Sequence, residues 1–211
     1  MGNENTVILF AKAPKICGVK TRLWPDLNYR QCLNLHTSLT GHTISHVRKS
    51  NKYNLVMYST KPKNSWLLPF DIKIKIQHGI DLGERMYNAI KIELKHSQRV
   101  ILIGSDCLEF SENYINDAFN KLKKNSDIVI TPTNDGGYCL IGMKATNKFL
   151  FEKISWSTSM VLNQTCKVAR NKGKRMYLLD ALNDIDTAND LEHLKRQQKL
   201  PTWAKQYIAQ P

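Results

Sequence analysis

The sequence contains no apolar run that approaches the roughly 20 residues a membrane-spanning helix requires. Its first apolar run, VILFA, is about half as long as the apolar region of a signal peptide, and no cleavage-like site follows it. Its five cysteines lie far apart and form no CxxC pair, so neither a disulfide framework nor a structural zinc site is expected. These absences predict a cytoplasmic protein with free thiols and no membrane span.

Acidic residues are scarce, with 18 against 31 basic residues and a formal net charge of +13. Such a balance favours anionic partners, among them phosphorylated small molecules, acidic lipids and nucleic acids. The basic residues are scattered, however, and no basic arm or aromatic-basic RNA motif is present. Solvated lysines on helix faces account for most of the charge, and no specific nucleic-acid partner is expected.

The chain also lacks internal repeats, low-complexity tracts and a Pro/Ser-rich linker, which predicts a single domain over residues 1–211. Several short runs are continuously apolar, as in strands that are covered on both faces of a mostly parallel sheet. The predicted strands are TVILFA (6–11), NLVMYST (54–60), IKIKIQ (72–77), RVILIGS (99–105), DIVITPT (127–133), YCLIGM (138–143) and RMYLLD (175–180).

Helical patterns alternate with these strands. The predicted helices cover residues 81–94, 111–124, 158–173 and 187–197. This alternation is typical of an α/β protein with an open, doubly wound, mostly parallel sheet. Only a tight NDGG turn separates DIVITPT from YCLIGM, so one antiparallel edge strand or hairpin is expected within it.

The first strand runs directly into a basic loop, AKAPKICGVKTRL, which is neither a Walker loop nor a GxGxxG motif. The loop places Lys12, Lys15, Lys20 and Arg22 at a strand exit, with Gly18 among them. Ammonium and guanidinium groups near exposed backbone N–H groups suit a diphosphate. The alternative is a solvated basic loop, and the spacing alone favours neither.

Carboxylates follow three other strands. Asp106 in IGSDCLEF can ligate Mg²⁺ or Mn²⁺, or it can simply cap the turn. Asp135 begins a Gly-Gly turn that allows close approach to a ligand, although an Asp-Gly pair is also an ordinary hairpin signal. Asp184 and Asp186 precede a helix, where the helix dipole by itself favours acids. Because ligands bind at the carboxyl ends of strands, all three spots and the basic loop are predicted on one rim.

These segments, in order, carry a resemblance to a known family. The set AKAPKICGVKTRL, GIDLGERM, IGSDCLEF, DGGYCLIG, ISWSTSMVLNQT and DIDTANDL resembles small bacterial glycosyltransferases of the GT-A fold, some of them linked to arsenosugar biosynthesis. The family is similar to the 2-phospholactate and molybdenum-cofactor guanylyltransferases and to CMP-KDO synthetase. The resemblance runs from about Val7 to Leu194 and implies a Rossmann-like nucleotide-diphospho-sugar transferase domain.

The resemblance also implies roles for individual residues. Those expected to bind the nucleotide and its phosphates are Ala11, Lys12, Pro14, Gly18, Lys20, Arg22 and Ser105. Asp106 and Asp186 match the metal ligands, which implies Mg²⁺ or Mn²⁺ as cofactor. The sugar and acceptor side is expected to comprise Asp135, Gly136, Gly137 and Trp156. Asp135, as a base or acceptor-positioning group, and Lys20, on the departing diphosphate, are the expected catalytic residues.

The chain departs from the family pattern at three places. Ile16-Cys17 stands where a Pro-Gly pair is usual, Leu108 replaces a proline, and Ala188-Asn189 replaces Pro-Glu. The first change bears on how the phosphates are held. The other two replace rigidifying residues and remove no carboxylate.

The expected function is a metal-dependent glycosyltransferase that transfers a sugar from a nucleoside-diphosphate donor to an acceptor the sequence does not specify. It is expected to act as a monomer or a homodimer. One alternative is a nucleotidyltransferase, in which a phosphorylated acceptor attacks an NTP and pyrophosphate leaves. The other is a basic protein that has lost catalysis and binds nucleic acid.

Overall fold

The computed structural model describes residues 4–62, 65–66, 71–196 and 200–207. Within them one sheet of seven strands has the order β3-β2-β1-β4-β6-β5-β7. The strands are β1 Asn5–Ala11, β2 Asn54–Ser59, β3 Lys73–Ile76, β4 Arg99–Gly104, β5 Ile128–Pro132, β6 Tyr138–Met143 and β7 Met176–Leu178. Each lies inside or within one residue of a predicted strand, so the α/β class and the strand assignments are confirmed.

Strand β6 runs against the other strands of the sheet. It pairs antiparallel with both β4 and β5, whereas β1, β2, β3 and β4 pair in parallel, as do β5 and β7. Of the two predicted alternatives, the hairpin is therefore the one observed, and β6 lies inside the sheet rather than at its edge. The amino end of β6 consequently meets the carboxyl ends of its neighbours at one rim.

Helices cover both faces of the sheet. They are α1 Tyr29–Val47, α2 Leu82–Glu93, α3 Glu112–Lys124, α4 Val161–Asn171 and α5 Ala188–Arg196. Alternation along β1 shows the two layers: Val7 and Leu9 pack in the core formed with α1 and α3, while Ile8 packs in the core formed with α2 and α4. The doubly wound arrangement is confirmed. No helix among the described residues has the length and apolarity to cross a membrane.

Helix α1 has no counterpart among the predicted elements. Its sequence is rich in Thr, Ser and His, which are weak helix formers. The helix is nevertheless well started, because Asn28 and Gln31 form a reciprocal capping box at its first turn. Its buried face then stabilises it through packing rather than propensity.

A third apolar cluster lies beyond the rim and fixes the loops there. It joins Leu23, Leu108 and Ile185, which come from three remote segments, to apolar residues of α1 and α5. Leu23 and Ile185 are fully buried, which contributes roughly 1.5–3 kcal/mol for each side chain. The strand order reverses between β1 and β4, so the crevice at their carboxyl ends is the point where open α/β sheets bind ligands.

Candidate active site

The loop that follows β1 is held by side chains from two other elements. The Ala13 N–H donates to Thr60 Oγ1 at 2.9 Å, and His36 Nε2 lies 2.9 Å from the carbonyl oxygen of Lys12. The backbone adopts left-handed conformations at Cys17 and Lys20, with φ of 58° and 51°. Such conformations cost non-glycine residues about 1–3 kcal/mol and occur where surrounding packing imposes them, often at functional sites. Contacts from Thr60 and from His36 on α1 thus fix the first residues of the loop.

The turn after β4 is paired with the segment before α5. The Ile185 N–H donates to the carbonyl oxygen of Asp106 at 2.9 Å, and Cys107 forms an isolated antiparallel bridge with Asp184. These backbone contacts bring residues 184–186 alongside the end of β4. They explain how two acidic segments that lie far apart in the sequence reach one place.

Lys20 connects the two acidic segments to the basic loop. Its Nζ lies 2.8 Å from Asp106 Oδ1 and 3.4 Å from Asp186 Oδ1, and it also donates to the carbonyl oxygen of Ile185. Only 2% of the Lys20 side chain is exposed, against 36% for Asp106 and 38% for Asp186. Arg22 Nη1 lies 3.7 Å from Asp186 Oδ2 at the more exposed side. The four side chains predicted to converge do so.

The charges in this cluster stabilise one another. Burial by itself lowers the pKa of Lys20, but Asp106 and Asp186 more than offset it, so the pKa is raised above its usual value. Burial likewise opposes ionisation of Asp106, yet the Lys20 ammonium holds the pKa of that carboxyl below its usual range. Lysine and aspartate are therefore both charged at neutral pH.

Asp184 behaves in the opposite way. Burial, followed by repulsion from Asp186, Asp135 and Asp106, raises its pKa to about 7. The Asp184 carboxyl is thus close enough to Asp186, Asp135 and Asp106 for their charges to disfavour its ionisation.

Asp135 is positioned by the turn between β5 and β6. Its Oδ1 accepts hydrogen bonds from Thr133 Oγ1 at 2.6 Å and from the Gly137 N–H at 2.9 Å. Gly136 has a φ of 86°, and a Cβ there would lie 2.2 Å from the carbonyl oxygen of Ser159. Only glycine fits this close approach between the turn and the residues preceding α4.

Trp156 forms part of the same wall. Its ring meets that of Tyr138 edge to face, with centroids 6.5 Å apart. A Cβ on Gly83, in the first turn of α2, would lie 2.6 Å from Trp156 Nε1. The indole is therefore packed between α2 and the β5–β6 hairpin, with its ring partly buried.

A cavity of about 1030 Å³ extends along the rim and connects these groups. The predicted site residues that line it are Ala11, Lys12, Gly18, Lys20, Arg22, Ser105, Asp106, Asp135, Gly137, Trp156 and Asp186. Pro14 and Gly136 do not line it. Gly136 supports the wall from behind through the contact with Ser159, and Pro14 lies in the basic loop.

Other lining residues carry no role in the sequence analysis. His36 lies on the unpredicted helix α1, so its position could not be anticipated. Gln77 follows β3, and its amide donates to the carbonyl oxygens of Ala11 and Tyr58, both at 2.9 Å. Arg85 lies in the GIDLGERM motif, which could have indicated it, and its Nε donates to the carbonyl oxygen of Gly79 at 2.9 Å.

The resemblance implies a divalent cation, and the carboxylates can be tested for fit. One oxygen each of Asp106 and Asp186 lies within 3.4 Å of a single nitrogen, so the two can share one ion. Within the described ranges, no group of three His, Cys, Asp or Glu side chains is arranged to hold a metal. The pair therefore fits an ion such as Mg²⁺, which takes its remaining ligands from substrate phosphates and water.

Comparison with solved structures shows proteins of the same fold. A protein from Desulfovibrio desulfuricans G20, described as a "putative nucleotide-diphospho-sugar transferase", is 26% identical, with a TM-score of 0.87 over 99% of this chain and 100% of that chain. A cytidylyltransferase from Leptospira borgpetersenii is 12% identical, with a TM-score of 0.56 over 92% of this chain and 85% of that chain. Rv0371c from Mycobacterium tuberculosis H37Rv, solved in complex with manganese, is 12% identical, with a TM-score of 0.52 over 91% of this chain and 98% of that chain.

At these low identities, the cytidylyltransferase and Rv0371c show that this chain shares their fold. No curated protein matches the sequence. Residues 43–158 match the family model DUF2064, described as an uncharacterized protein conserved in bacteria. That match spans more than half of the chain, which therefore belongs to the DUF2064 family.

Proposed function

We propose that the protein is a metal-dependent glycosyltransferase that uses a nucleoside-diphosphate sugar as donor. The observation that carries the proposal is the meeting of Lys20 and Arg22 with Asp106 and Asp186 beside the cavity at the point where the strand order reverses. The likeness to the Desulfovibrio protein over the whole chain supports a transferase that acts on nucleotide sugars.

The diphosphate would lie against the loop after β1. Lys12, Gly18 and Arg22 line the cavity there, and Ser105 lines it at the end of β4. Arg22 has 57% of its side chain exposed, so its guanidinium can turn to a phosphate at little cost. Mg²⁺ or Mn²⁺ held by Asp106 and Asp186 would supply charge neutralisation for the departing diphosphate.

Transfer requires one bond to form and one to break. The acceptor hydroxyl oxygen attacks the anomeric carbon of the sugar, and the bond from that carbon to the diphosphate breaks, so that the nucleoside diphosphate leaves with the electron pair. We assign the hydroxyl proton to Asp135, which lines the cavity and has Oδ1 fixed by two hydrogen bonds. The basic groups Lys20 and Arg22 stabilise the negative charge on the leaving diphosphate.

The sugar and the acceptor would lie toward Asp135, Gly137 and Trp156. The indole of Trp156 gives this part of the cavity an apolar wall, and sugar rings present apolar C–H faces that pack on such rings. Gly136 supports this wall because it lets the β5–β6 turn approach Ser159 closely.

A direct test incubates the protein with nucleoside-diphosphate sugars and with NTPs, each with and without Mn²⁺, and measures the phosphate products. Release of a nucleoside diphosphate from a sugar donor supports the proposal, because slow transfer to water needs no known acceptor. A parallel thermal-shift screen identifies the donor that stabilises the fold. Asp106→Asn should abolish any metal-dependent shift, and an undiminished shift would contradict the role given to Asp106.

A nucleotidyltransferase is the second candidate, favoured by the cytidylyltransferase among the similar folds. The same loop and carboxylates would then act on the α-phosphate of an NTP. Pyrophosphate in place of a nucleoside diphosphate would establish it. Tight, salt-dependent binding to DNA or RNA with neither product would instead indicate the basic binding protein.

We further propose that residues 1–211 form a single domain that acts in the cytoplasm as a monomer or homodimer. Full-length coverage of the Desulfovibrio structure supports the single domain. All five cysteines are free, which suits a reducing compartment. Size-exclusion chromatography with light scattering would determine the oligomeric state.

A further inference from the structure

Lys20 lies where the resemblance places a divalent ion. Its Nζ contacts Asp106 Oδ1 and Asp186 Oδ1, which are the two oxygens such an ion would share. It also donates to the carbonyl oxygen of Ile185, so the ammonium has three oxygen partners around it. An ammonium with three acceptors satisfies its full donor capacity.

Lys20 and a divalent ion cannot both occupy this position. The ammonium lies 2.8 Å from Asp106 and is almost wholly enclosed, with 2% of its side chain exposed. Two cations at one site repel each other strongly, and enclosure away from water weakens the screening of that repulsion. An ion that binds Asp106 and Asp186 must therefore displace Lys20.

Displacement leaves a buried ammonium in need of a new anionic partner. The cavity that Lys20 lines also carries Lys12 and Arg22, and within the described chain its carboxylates are Asp81, Asp106, Asp135 and Asp186. A diphosphate in the cavity offers Lys20 phosphate oxygens, and it offers the ion the ligands that two carboxylates do not supply. Binding of the diphosphate thus frees Asp106 and Asp186 for the metal, and binding of the metal frees Lys20 for the diphosphate.

We propose that Lys20 is an internal placeholder for the divalent ion, which makes metal binding conditional on a diphosphate in the cavity. This inference rests on the proposed function for its choice of ligand, but not for its first test. In the resting protein Lys20 neutralises the two acids and excludes free metal. A diphosphate draws Lys20 away, and the metal then binds; by linkage, each strengthens the binding of the other by the same factor.

The first test uses Mn²⁺ alone with nucleotide-free protein and measures free Mn²⁺ by electron paramagnetic resonance. We expect Lys20→Met to bind one Mn²⁺ at least ~10-fold more tightly than the wild type, because the competent state need no longer be populated by moving Lys20. The matched control is Lys124→Met, which removes an exposed lysine in the last turn of α3, outside the cavity lining, and leaves the Lys20 contacts intact. It should bind Mn²⁺ as the wild type does.

The double variant Lys20→Met/Asp106→Asn completes the set. It should lose the tight site, which shows that the gain in Lys20→Met belongs to these carboxylates. Equal affinity in wild type and Lys20→Met would overturn the inference. If Lys20→Met does not fold, the wild type alone still decides: stoichiometric Mn²⁺ binding at micromolar concentration without nucleotide contradicts a placeholder.

The second test measures thermal shifts of the wild type with Mn²⁺, with each of ADP, CDP, GDP and UDP, and with both together. The combined shift should exceed the sum of the separate shifts for the cognate nucleotide, and in Lys20→Met this excess should disappear. Failure of the proposed function would appear as no shift with any nucleotide while the Mn²⁺ difference between wild type and Lys20→Met persists. A strictly additive wild-type shift would refute the coupling itself.

Discussion

On the side of the cavity where β1 and β4 end, Lys20 lies enclosed between two carboxylates, and three remote segments are joined by buried leucine and isoleucine side chains. On the side where β5 meets β6, Asp135 is exposed and is held by a single local turn. The first side depends on long-range packing and on charge, the second on backbone geometry. Substitutions should therefore affect the two sides differently. On the first side, turnover, metal binding and stability should change together, whereas on the second side one substitution can change proton transfer and another can change the stability of the turn.

Asp106→Asn should have the largest effect, because it removes the nearer of the two carboxylates that neutralise the buried Lys20 ammonium. We expect nucleoside-diphosphate release to fall by ~10³-fold, since one preorganised charge is lost from the departing diphosphate. The side chain is 36% exposed, so solvent screening limits the stability loss to about 1–2 kcal/mol, or a fall of roughly 3–6 °C in Tm.

Turnover assays and calorimetry check this variant against Asp117→Asn. Asp117 is a surface acid 3.9 Å from Lys121, with 54% of its side chain exposed. The control should change stability by no more than ~0.5 kcal/mol. Equal effects of the two substitutions would show that the Lys20 cluster has no special importance.

Asp135→Asn should reduce turnover by about 100-fold without changing stability or donor binding. The amide oxygen can still accept hydrogen bonds from Thr133 and Gly137, so the turn is preserved, but the group can no longer take a proton. Steady-state kinetics should show lower kcat with unchanged donor KM. The control is Asp26→Asn, because Asp26 is an exposed acid outside the cavity lining. If Asp135→Asn also lowered Tm, Asp135 would have a structural role instead.

Gly136→Ala should destabilise the protein by about 2–3 kcal/mol, because it adds both a positive-φ penalty and a contact of 2.2 Å with the Ser159 carbonyl oxygen. Two glycines separate these causes. Gly173→Ala has a φ of 63° but nothing within 4 Å of the new Cβ, so it should cost about 1 kcal/mol. Gly41→Ala, in α1 with open space around it, should be neutral or slightly stabilising. Urea denaturation would rank the three variants, and equal losses at 136 and 173 would rule out the contact.

Asp184→Asn should have the smallest effect, and the size of that effect should depend on pH. The folded protein holds the Asp184 proton up to a pKa of about 7, whereas the unfolded chain releases it near the ordinary value of 3.8. Between these pH values the folded state binds more protons, so this group lowers stability as pH rises from about 4 to 7. The neutral amide removes that loss, and the Tm of the variant should exceed that of the wild type by ~2 °C or more at pH 8 in EDTA, but not at pH 4. A difference independent of pH would contradict the raised pKa.

Much of the architecture could be predicted, since strands buried on both faces are continuously apolar and seven such runs are visible in the sequence. The position of the basic loop and the acids on one rim could also be predicted, because they follow strands of a mostly parallel sheet. Helix α1 could not be found as easily, because its buried face includes His36, Thr40 and Thr43 where apolar residues are usual. The hydroxyl groups of Thr37 and Thr40 donate hydrogen bonds to carbonyl oxygens one turn earlier in the helix, so these polar groups are satisfied within the helix itself.

The contacts within the site could not be predicted from the sequence. From the sequence, Lys20 is expected to bind the phosphates and Asp106 and Asp186 are expected to bind a metal, as separate groups. That the lysine lies between the two acids depends on Leu23, Leu108 and Ile185 packing together, and no local pattern in the sequence predicts contacts between segments more than 75 residues apart. The raised pKa of Asp184 likewise arises from burial and from acids that only the fold brings near.

The reversed direction of β6 has a practical consequence. Because β6 begins at the rim where β5 ends, the two strands are joined at the opening of the cavity by a short connection that contains no helix. This connection is held in place by β6, which pairs with β4 on one side and with β5 on the other. Lengthening or shortening that connection would reshape the opening while the ladder beneath stays in register. Residues 133–137 are therefore the place where the width of the opening can be changed by protein engineering while the strands of the sheet keep their positions.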